Sequence, residues 1–405
     1  MRRVVITGVG AISVLGQKRE DIAKSLYLRI PGIVLDLERQ KLGFRSALTG
    51  QIKDFACSLS KKQKKTMPVF VQQSYVALKS AIEQANLTEE DLEDPRTGLI
   101  FGNDSSLEAA LQLGERLRET TQTQDLGSQH LFRIMNSTAS MNLGLLFKIH
   151  GCSFTVSGAC ASGLIAIGQA YDRIRLDRAD IMLAGAAQEL GIAAAAAFDG
   201  LGAFSVNPDP QAASRPFDAK RDGLVPSGGA CAIVLEEYTR AKKRGVPILG
   251  EIIGFGLSSD GSSLVQASEM GLASAIQLAL ADAKIGKNAI TEINAHATST
   301  LTGDAKEAIN LRKVFGEKIP PLITLKSLTG HEFWMSGAGQ VVYAAIMYEH
   351  GFLAGSPNFT EGVGETLNLP VITETLNRPP KMMLCEAQGF GGCNAALVIA
   401  FPCRS

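Results

Sequence analysis

The sequence predicts an α/β protein built from two packed halves, and three observations carry that expectation. Short apolar runs alternate with helix-patterned segments along the whole chain, as buried strands do when helices cover them. At 405 residues the chain exceeds one ordinary core and suits two units of about 150–250 residues. A charged segment, 238–247, ends in Gly245 and Pro247 just before a new apolar run. It divides an N-terminal half, 1–245, from a C-terminal half, 246–405, although the two share no strong sequence repeat.

The elements follow in chain order. Residues 3–6 read as a buried strand entering a glycine turn at Thr7-Gly8. Further strands are expected at 98–101, 153–156, 181–184, 231–235, 248–256, 292–295 and 396–401, each a short apolar run. Helices are expected at 73–84, 163–175, 273–283 and 304–315, where apolar residues recur near helical spacing. The alanine run 193–197 also reads as helix. Each half thus has a strand that delivers a candidate reactive residue at its end: Cys160 after 153–156, and His296 after 292–295.

Composition narrows the function. Forty basic and forty acidic residues balance, which argues against general nucleic-acid binding. Apolar residues make up 45%, enough for a large core, yet no stretch approaches the roughly 20 apolar residues of a membrane span. The start is too short in apolar residues for a signal peptide. Seven scattered cysteines, an odd number without metal-ligand spacing, favour a reducing, cytoplasmic setting.

One cysteine stands apart. Cys160 lies in Val156-Ser157-Gly158-Ala159-Cys160-Ala161-Ser162-Gly163, where small residues permit a tight strand-to-helix turn. A thiol at a helix start meets the positive end of the macrodipole, which favours thiolate. The other six cysteines read as small core residues. Of five histidines, His296 lies in Asn294-Ala295-His296-Ala297-Thr298-Ser299-Thr300 and His331 ends Thr324-Leu325-Lys326-Ser327-Leu328-Thr329-Gly330-His331. Each follows a strand-like run in a hydroxyl-rich turn. Together with Cys160 they point to a Cys-His-His acyl-transfer site.

These motifs, with the opening 4–10, Arg215-Pro216-Phe217-Asp218, Arg221-Asp222-Gly223 and Gly389-Phe390-Gly391-Gly392-Cys393-Asn394, cover nearly the whole chain. In order and spacing the set resembles the β-ketoacyl-(acyl-carrier-protein) synthases of the type I/II class. Pro226-Ser227-Gly228-Gly229 lies nearer the type I branch. The resemblance implies a thiolase-like fold, with two similar halves whose mixed sheets pack in α-β-α-β-α layers. It implies that Cys160 takes an acyl group and that His296 and His331 stabilise the enolate formed when a malonyl thioester loses CO₂. Lys326, with Glu307 as partner, would set the field at His331. Thr298 and Thr300 would bond the pantetheine arm, and Phe390 would gate access and supply an oxyanion-hole N–H. No metal or organic cofactor is implied, because phosphopantetheine arrives on the acyl carrier protein. A homodimer, or a heterodimer with a homologous chain-length subunit, is implied too. The lysines 61, 62, 64 and 65 form a basic cluster that would steer the acidic carrier, or simply be a solvated helix face.

Several positions depart from the family pattern: Ala297, Leu301, Asn103-Asp104-Ser105-Ser106, Glu332-Phe333-Trp334-Met335-Ser336 and Cys393. Ser105 and Trp334 are therefore the candidate acyl-pocket residues. The alternative function is a specialised ketosynthase of a polyene-type secondary pathway. A thiolase using Cys393, and a non-catalytic partner subunit, are further alternatives.

Overall fold

The computed structural model describes residues 1–52 and 54–403. Twelve strands occur among them: β1 (Val4–Ile12), β2 (Ile33–Leu35), β3 (Leu48–Gly50), β4 (Thr97–Gly102), β5 (Ser153–Val156), β6 (Ile181–Gln188), β7 (Gly229–Glu237), β8 (Gly250–Ser259), β9 (Glu292–Asn294), β10 (Leu322–Ile323), β11 (Met382–Gly389) and β12 (Cys393–Ala400). β2 and β3 form a separate ribbon, and the other ten lie in the order β10-β9-β11-β12-β8-β1-β7-β6-β4-β5.

That order contains one pattern twice. Numbered within each set of five, the strands run third, second, fourth, fifth, first: β5-β4-β6-β7-β1, then β10-β9-β11-β12-β8. The pairing senses match as well. The first strand pairs antiparallel with the fifth, the fifth antiparallel with the fourth, and the remaining pairs are parallel. A short antiparallel seam, Val4–Ile6 against Gly250–Ile252, joins the two sets.

Two buried helices, Ser162–Arg175 and Ser336–His350, lie between the sets, and strands of both pack on them. One core therefore includes Ile100, Met182 and Ile233 from the first set and Ile252, Met383 and Leu397 from the second. Helix Val69–Gln84 covers the outer face of the first set; helices Gly271–Ala283 and Leu301–Phe315 cover the second. The result is the expected five-layer sequence of helix, sheet, helix, sheet and helix.

The glycine turn expected after Ile6 is not formed. β1 continues through Gly8 and Gly10, with a register shift against β7 between Ile6 and Gly8, and the covering helix lies directly on both glycines. A Cβ at Gly8 or Gly10 would come within 2.1 Å of the carbonyl oxygens of Ala81 and Ala77. The second half repeats the device: a Cβ at Gly254 or Gly256 would meet the carbonyl oxygens of Ala279 and Ala275 at 2.3 and 2.0 Å. Glycine is needed at all four positions for close approach of helix to strand.

Most remaining expectations agree within a few residues, and β5 agrees in both limits. Helices Arg19–Leu28, Leu107–Thr120, Thr138–Leu146 and Ser336–His350, and strands β2, β3, β10 and β11, are among the additions. The junction segment is a helix, Tyr238–Arg244, closed by Gly245 in the left-handed region. Among the described residues no helix is long and apolar enough to cross a membrane.

Candidate active site

The two buried helices begin beside each other, and the residues leading into them form the site. Cys160 sits in a single 3₁₀ turn, Ala159–Ala161, between β5 and helix Ser162–Arg175. Ala159 takes φ 48°, a left-handed conformation that costs a non-glycine residue on the order of 1–3 kcal/mol. The turn is pinned by the Gly158 N–H, which donates to Ser162 Oγ at 2.9 Å, and by Ser162 Oγ, which donates to Ala159 O at 2.6 Å.

His331 leads, through the turn Phe333–Met335, into helix Ser336–His350. Its backbone is held at both groups: its N–H donates to Val225 O at 2.7 Å, and its carbonyl accepts from Ser227 N–H at 2.9 Å. The helix starts interlock through glycine. A Cβ on Gly163 would lie 2.8 Å from Ala338 N, and one on Gly337 would lie 2.7 Å from Leu164 Cβ. This contact brings His331 Nε2 to 3.2 Å from Cys160 Sγ.

His296 follows β9 and meets His331 edge-on, with ring centroids 5.5 Å apart and planes at 86°. Its loop is held from helix Leu301–Phe315: Glu307 Oε2 accepts from Ala297 N–H at 2.7 Å, and Asp304 Oδ1 accepts from Thr298 N–H at 3.0 Å. Cys160, His296 and His331 share one cavity of about 390 Å³. Thr298 and Thr300, whose hydroxyls lie 3.1 Å apart, line it, as do Glu307 and Phe390. The backbone N–H groups of Cys160 and Phe390 both act on the sulfur. Phe390 is 39% exposed, at the cavity wall.

The electrostatics correct one expectation. Burial pushes the Cys160 thiol up to about 12, although Lys326 acts in the opposite direction. The helix start does not offset this desolvation, so the resting group is a thiol. Burial, then the Lys326 charge, holds both histidines well below their ordinary value, and His331 adds to the effect on His296. Both imidazoles are neutral near pH 7, and both Nδ1 atoms are buried without a hydrogen-bond partner. Burial also lowers Lys326, which Glu307, Glu332, Cys160 and Asp304 oppose as negative charges. Glu307 acts on Lys326 within a larger acidic group than expected: Glu386, fully buried on β11, lies close enough to compete with it for a proton. Burial and Glu386 push Glu307 far up, and burial raises Glu386 to about 7.

The remaining candidates fall elsewhere. Trp334 is not on the cavity wall; it packs with Cys160, Phe204, Leu224 and Phe333 in a small core. Ser105 is partly buried outside the cavity, its hydroxyl lacking a partner. Lys61, Lys62 and Lys64 lie on a short helix capped by Lys65. Lys61, Lys62 and Lys65 are exposed, but Lys64 Nζ turns back to donate to Cys57 O at 3.0 Å. Sequence reasoning missed Glu386, Glu332 and Phe198. The first is a lone charge in an apolar run, which is itself a signal. The second directly follows His331. Phe198 gave none, yet its ring lies 4.6 Å from that of Phe333 and 5.8 Å from that of Phe390.

The chain matches the family model "Beta-ketoacyl synthase, N-terminal domain" over residues 1–241 and "Beta-ketoacyl synthase, C-terminal domain" over 249–360. It is 35% identical to 3-oxoacyl-[acyl-carrier-protein] synthase 1 of Escherichia coli over 404 residues, 98% of this chain and 99% of that one. It superposes on a β-ketoacyl synthase from Burkholderia phymatum with a TM-score of 0.94 and 34% identity, each chain covered completely. A ketosynthase/chain length factor structure, that of ishigamide, gives 0.92 and 28% identity over 99% of this chain and 100% of that one. These full-length likenesses agree with the doubled five-strand pattern and with the joint cavity of Cys160, His296 and His331: the chain belongs to the β-ketoacyl synthase family of condensing acyltransferases.

Proposed function

We propose that this protein elongates acyl chains carried by an acyl carrier protein, through decarboxylative condensation on Cys160. The observation that carries the reading is the 3.2 Å approach of His331 Nε2 to Cys160 Sγ, with His296 edge-on beside it in the same cavity. The carrier's phosphopantetheine thioester enters past Thr298 and Thr300. Sulfur attacks the thioester carbonyl with His331 Nε2–H donating to it across 3.2 Å, and the thiol proton passes to the departing carrier sulfur. The N–H groups of Cys160 and Phe390 hold the oxyanion, and the carrier thiol leaves. A malonyl thioester then occupies the cavity and loses CO₂. Its C–C electron pair moves into an enolate, whose oxygen gains negative charge. With Nδ1 buried and unpartnered in both histidines, the favoured tautomer carries its proton on Nε2, which supplies a donor for that oxygen. The enolate carbon attacks the Cys160 thioester and releases a β-ketoacyl carrier two carbons longer. Lys326 holds the field of the site, and the mechanism needs no resident cofactor.

The second reading is a specialised ketosynthase for flat, conjugated chains, working beside a chain-length partner. Two rings on the cavity wall favour it: Phe390 and Phe198 stack with centroids 5.8 Å apart. The likeness to the ishigamide ketosynthase/chain length factor supports it too. In either reading β5, at one end of the ten-strand order, offers its free edge to a second homologous chain. Incubation with acyl carrier proteins of different chain length and saturation tests the proposal. The expected result is an acyl mass on Cys160, lost in Cys160→Ala, followed by condensation with malonyl carrier. Condensation by Cys160→Ala would refute it.

A further inference from the structure

A phosphopantetheine arm brings a negative charge with it, because a phosphodiester joins the arm to its carrier. The cavity itself supplies no cation to meet that charge. Its acidic lining residues are Asp222, Asp260 and Glu307, and no lysine or arginine is among the described residues that line it. Two of the acids are engaged within the fold. Asp222 accepts from Ser205 Oγ at 2.6 Å and from Val206 N–H at 3.0 Å; Asp260 accepts from Asn394 Nδ2 and from Ser268 Oγ, both at 2.8 Å. Arg221, beside Asp222 in the chain, is buried and donates its guanidinium to the carbonyls of Asp218, Thr300 and Leu301. Lys326 is buried as well.

One guanidinium differs. Arg45 is exposed and lies against Gly202 on the cavity wall: a Cβ at Gly202 would stand 2.7 Å from Arg45 Nη1. Gly202 takes φ 73°, so the wall turns there without a side chain and the guanidinium occupies the space beside it. Among the described residues that guanidinium forms no ion pair and no hydrogen bond. The backbone beneath it is fixed. Asp199, 8% exposed in helix Ile192–Gly200, accepts from Arg45 N–H at 2.8 Å through Oδ2 and from Ser46 N–H at 3.1 Å through Oδ1. The carbonyl of Asp199 accepts from Gly202 N–H at 2.9 Å. One buried residue thus ties the arginine to the piece of wall it covers. The preceding residue, Phe44, packs on the small core that contains Cys160.

We propose that Arg45 binds the phosphate of the phosphopantetheine arm at the mouth of the cavity. Its planar fork matches two phosphate oxygens, and its charge is not already matched by a carboxylate. This deepens the proposed function and rests on entry of the carrier's arm past Thr298 and Thr300.

The test compares two inert probes, S-methyl phosphopantetheine and S-methyl pantetheine, which differ only in the phosphate. Each is titrated for its ability to slow alkylation of Cys160 by iodoacetamide, read by mass spectrometry. In the parent protein the phosphorylated probe should protect at a concentration about tenfold lower, the scale of a hydrogen bond to a charged group. In Arg45→Ala the two probes should become equal, with protection by S-methyl pantetheine unchanged. Arg45→Lys, which keeps the charge but loses the fork, should retain part of the difference. Equal protection by the two probes in the parent protein would overturn the assignment. So would a phosphate preference that survives in Arg45→Ala, or a loss that falls on both probes alike, which would reduce Arg45 to packing. If Arg45→Ala weakened only the whole carrier protein and neither probe's protection, the partner would be a carboxylate on the carrier, and the phosphate assignment would fail. Protection by neither probe would count against entry of the arm, and so against the proposed function as well; equal protection by both would count against Arg45 alone.

Discussion

Replacing His296 and His331 singly by alanine should divide the two half-reactions, because the structure places only one of them against sulfur. His331 Nε2 stands 3.2 Å from Cys160 Sγ, whereas His296 meets the His331 ring at a centroid distance of 5.5 Å. Loss of one preorganised oxyanion donor costs about 10²–10³ in rate, or roughly 2.7–4 kcal/mol. His296→Ala should therefore lower decarboxylation of malonyl carrier by about that factor and leave acylation of Cys160 near the parent rate. His331→Ala should lower both steps, since it removes the Nε2–H beside Cys160 Sγ as well as a donor to the enolate oxygen. Decarboxylation is read from release of labelled CO₂, and acylation from the mass of Cys160. Equal loss of both steps in His296→Ala would refute the assignment. The pH dependence offers a second check. Burial and Lys326 depress both histidines, so they stay neutral as pH falls from 8 to 6.5. Decarboxylation should show no acid limb in that interval, and a limb there would mean that an imidazole is charging.

Three further outcomes are expected. Gly256→Ala should destabilise the protein by about 1–3 kcal/mol or more in urea unfolding, because the new Cβ meets the Ala275 carbonyl oxygen at 2.0 Å; an unchanged midpoint would refute the close-approach argument. Reversing Lys61, Lys62 and Lys65 to glutamate should raise the KM for carrier protein and flatten its salt dependence, while Lys64→Glu, whose amine is tied to Cys57, should do less. Because Trp334 and Ser105 lie off the cavity wall, Trp334→Gly and Ser105→Phe should change turnover by a similar factor across a chain-length and saturation panel. A selective effect on long or conjugated chains would refute that placement.

The sequence made the reactive residues legible because each belongs to a short motif at a strand end, and the structure places all three in one cavity. The architecture was legible only in part. Helix Ser336–His350 is buried on nearly every side, so its apolar residues show no one-faced periodicity to read. β11 was hidden by Glu386 and Gln388, polar residues in an interior strand. The doubling of the fold was written in glycines rather than in similar words: Gly8 and Gly10 correspond to Gly254 and Gly256, and Ala77 and Ala81 to Ala275 and Ala279. The protonation state of Cys160 was misread for a physical reason. A helix start contributes a local field, but burial is a property of the whole packing and is invisible in a motif.

The interlocked helix starts at Gly163 and Gly337 have a consequence for how such a chain can diversify. They hold equivalent places in the doubled pattern, yet one presents a thiol and the other an imidazole. In the proposed mechanism acyl retention and malonyl activation are thereby written in separate stretches of the gene, one before the Gly245 turn and one after it. A chimera that joins the first half of one family member to the second half of another would inherit its acyl attachment point from one parent and both histidines from the other. What the two parents must share is the seam of helix-start residues Gly163, Leu164, Gly337 and Ala338, since the approach of His331 to Cys160 is set across it.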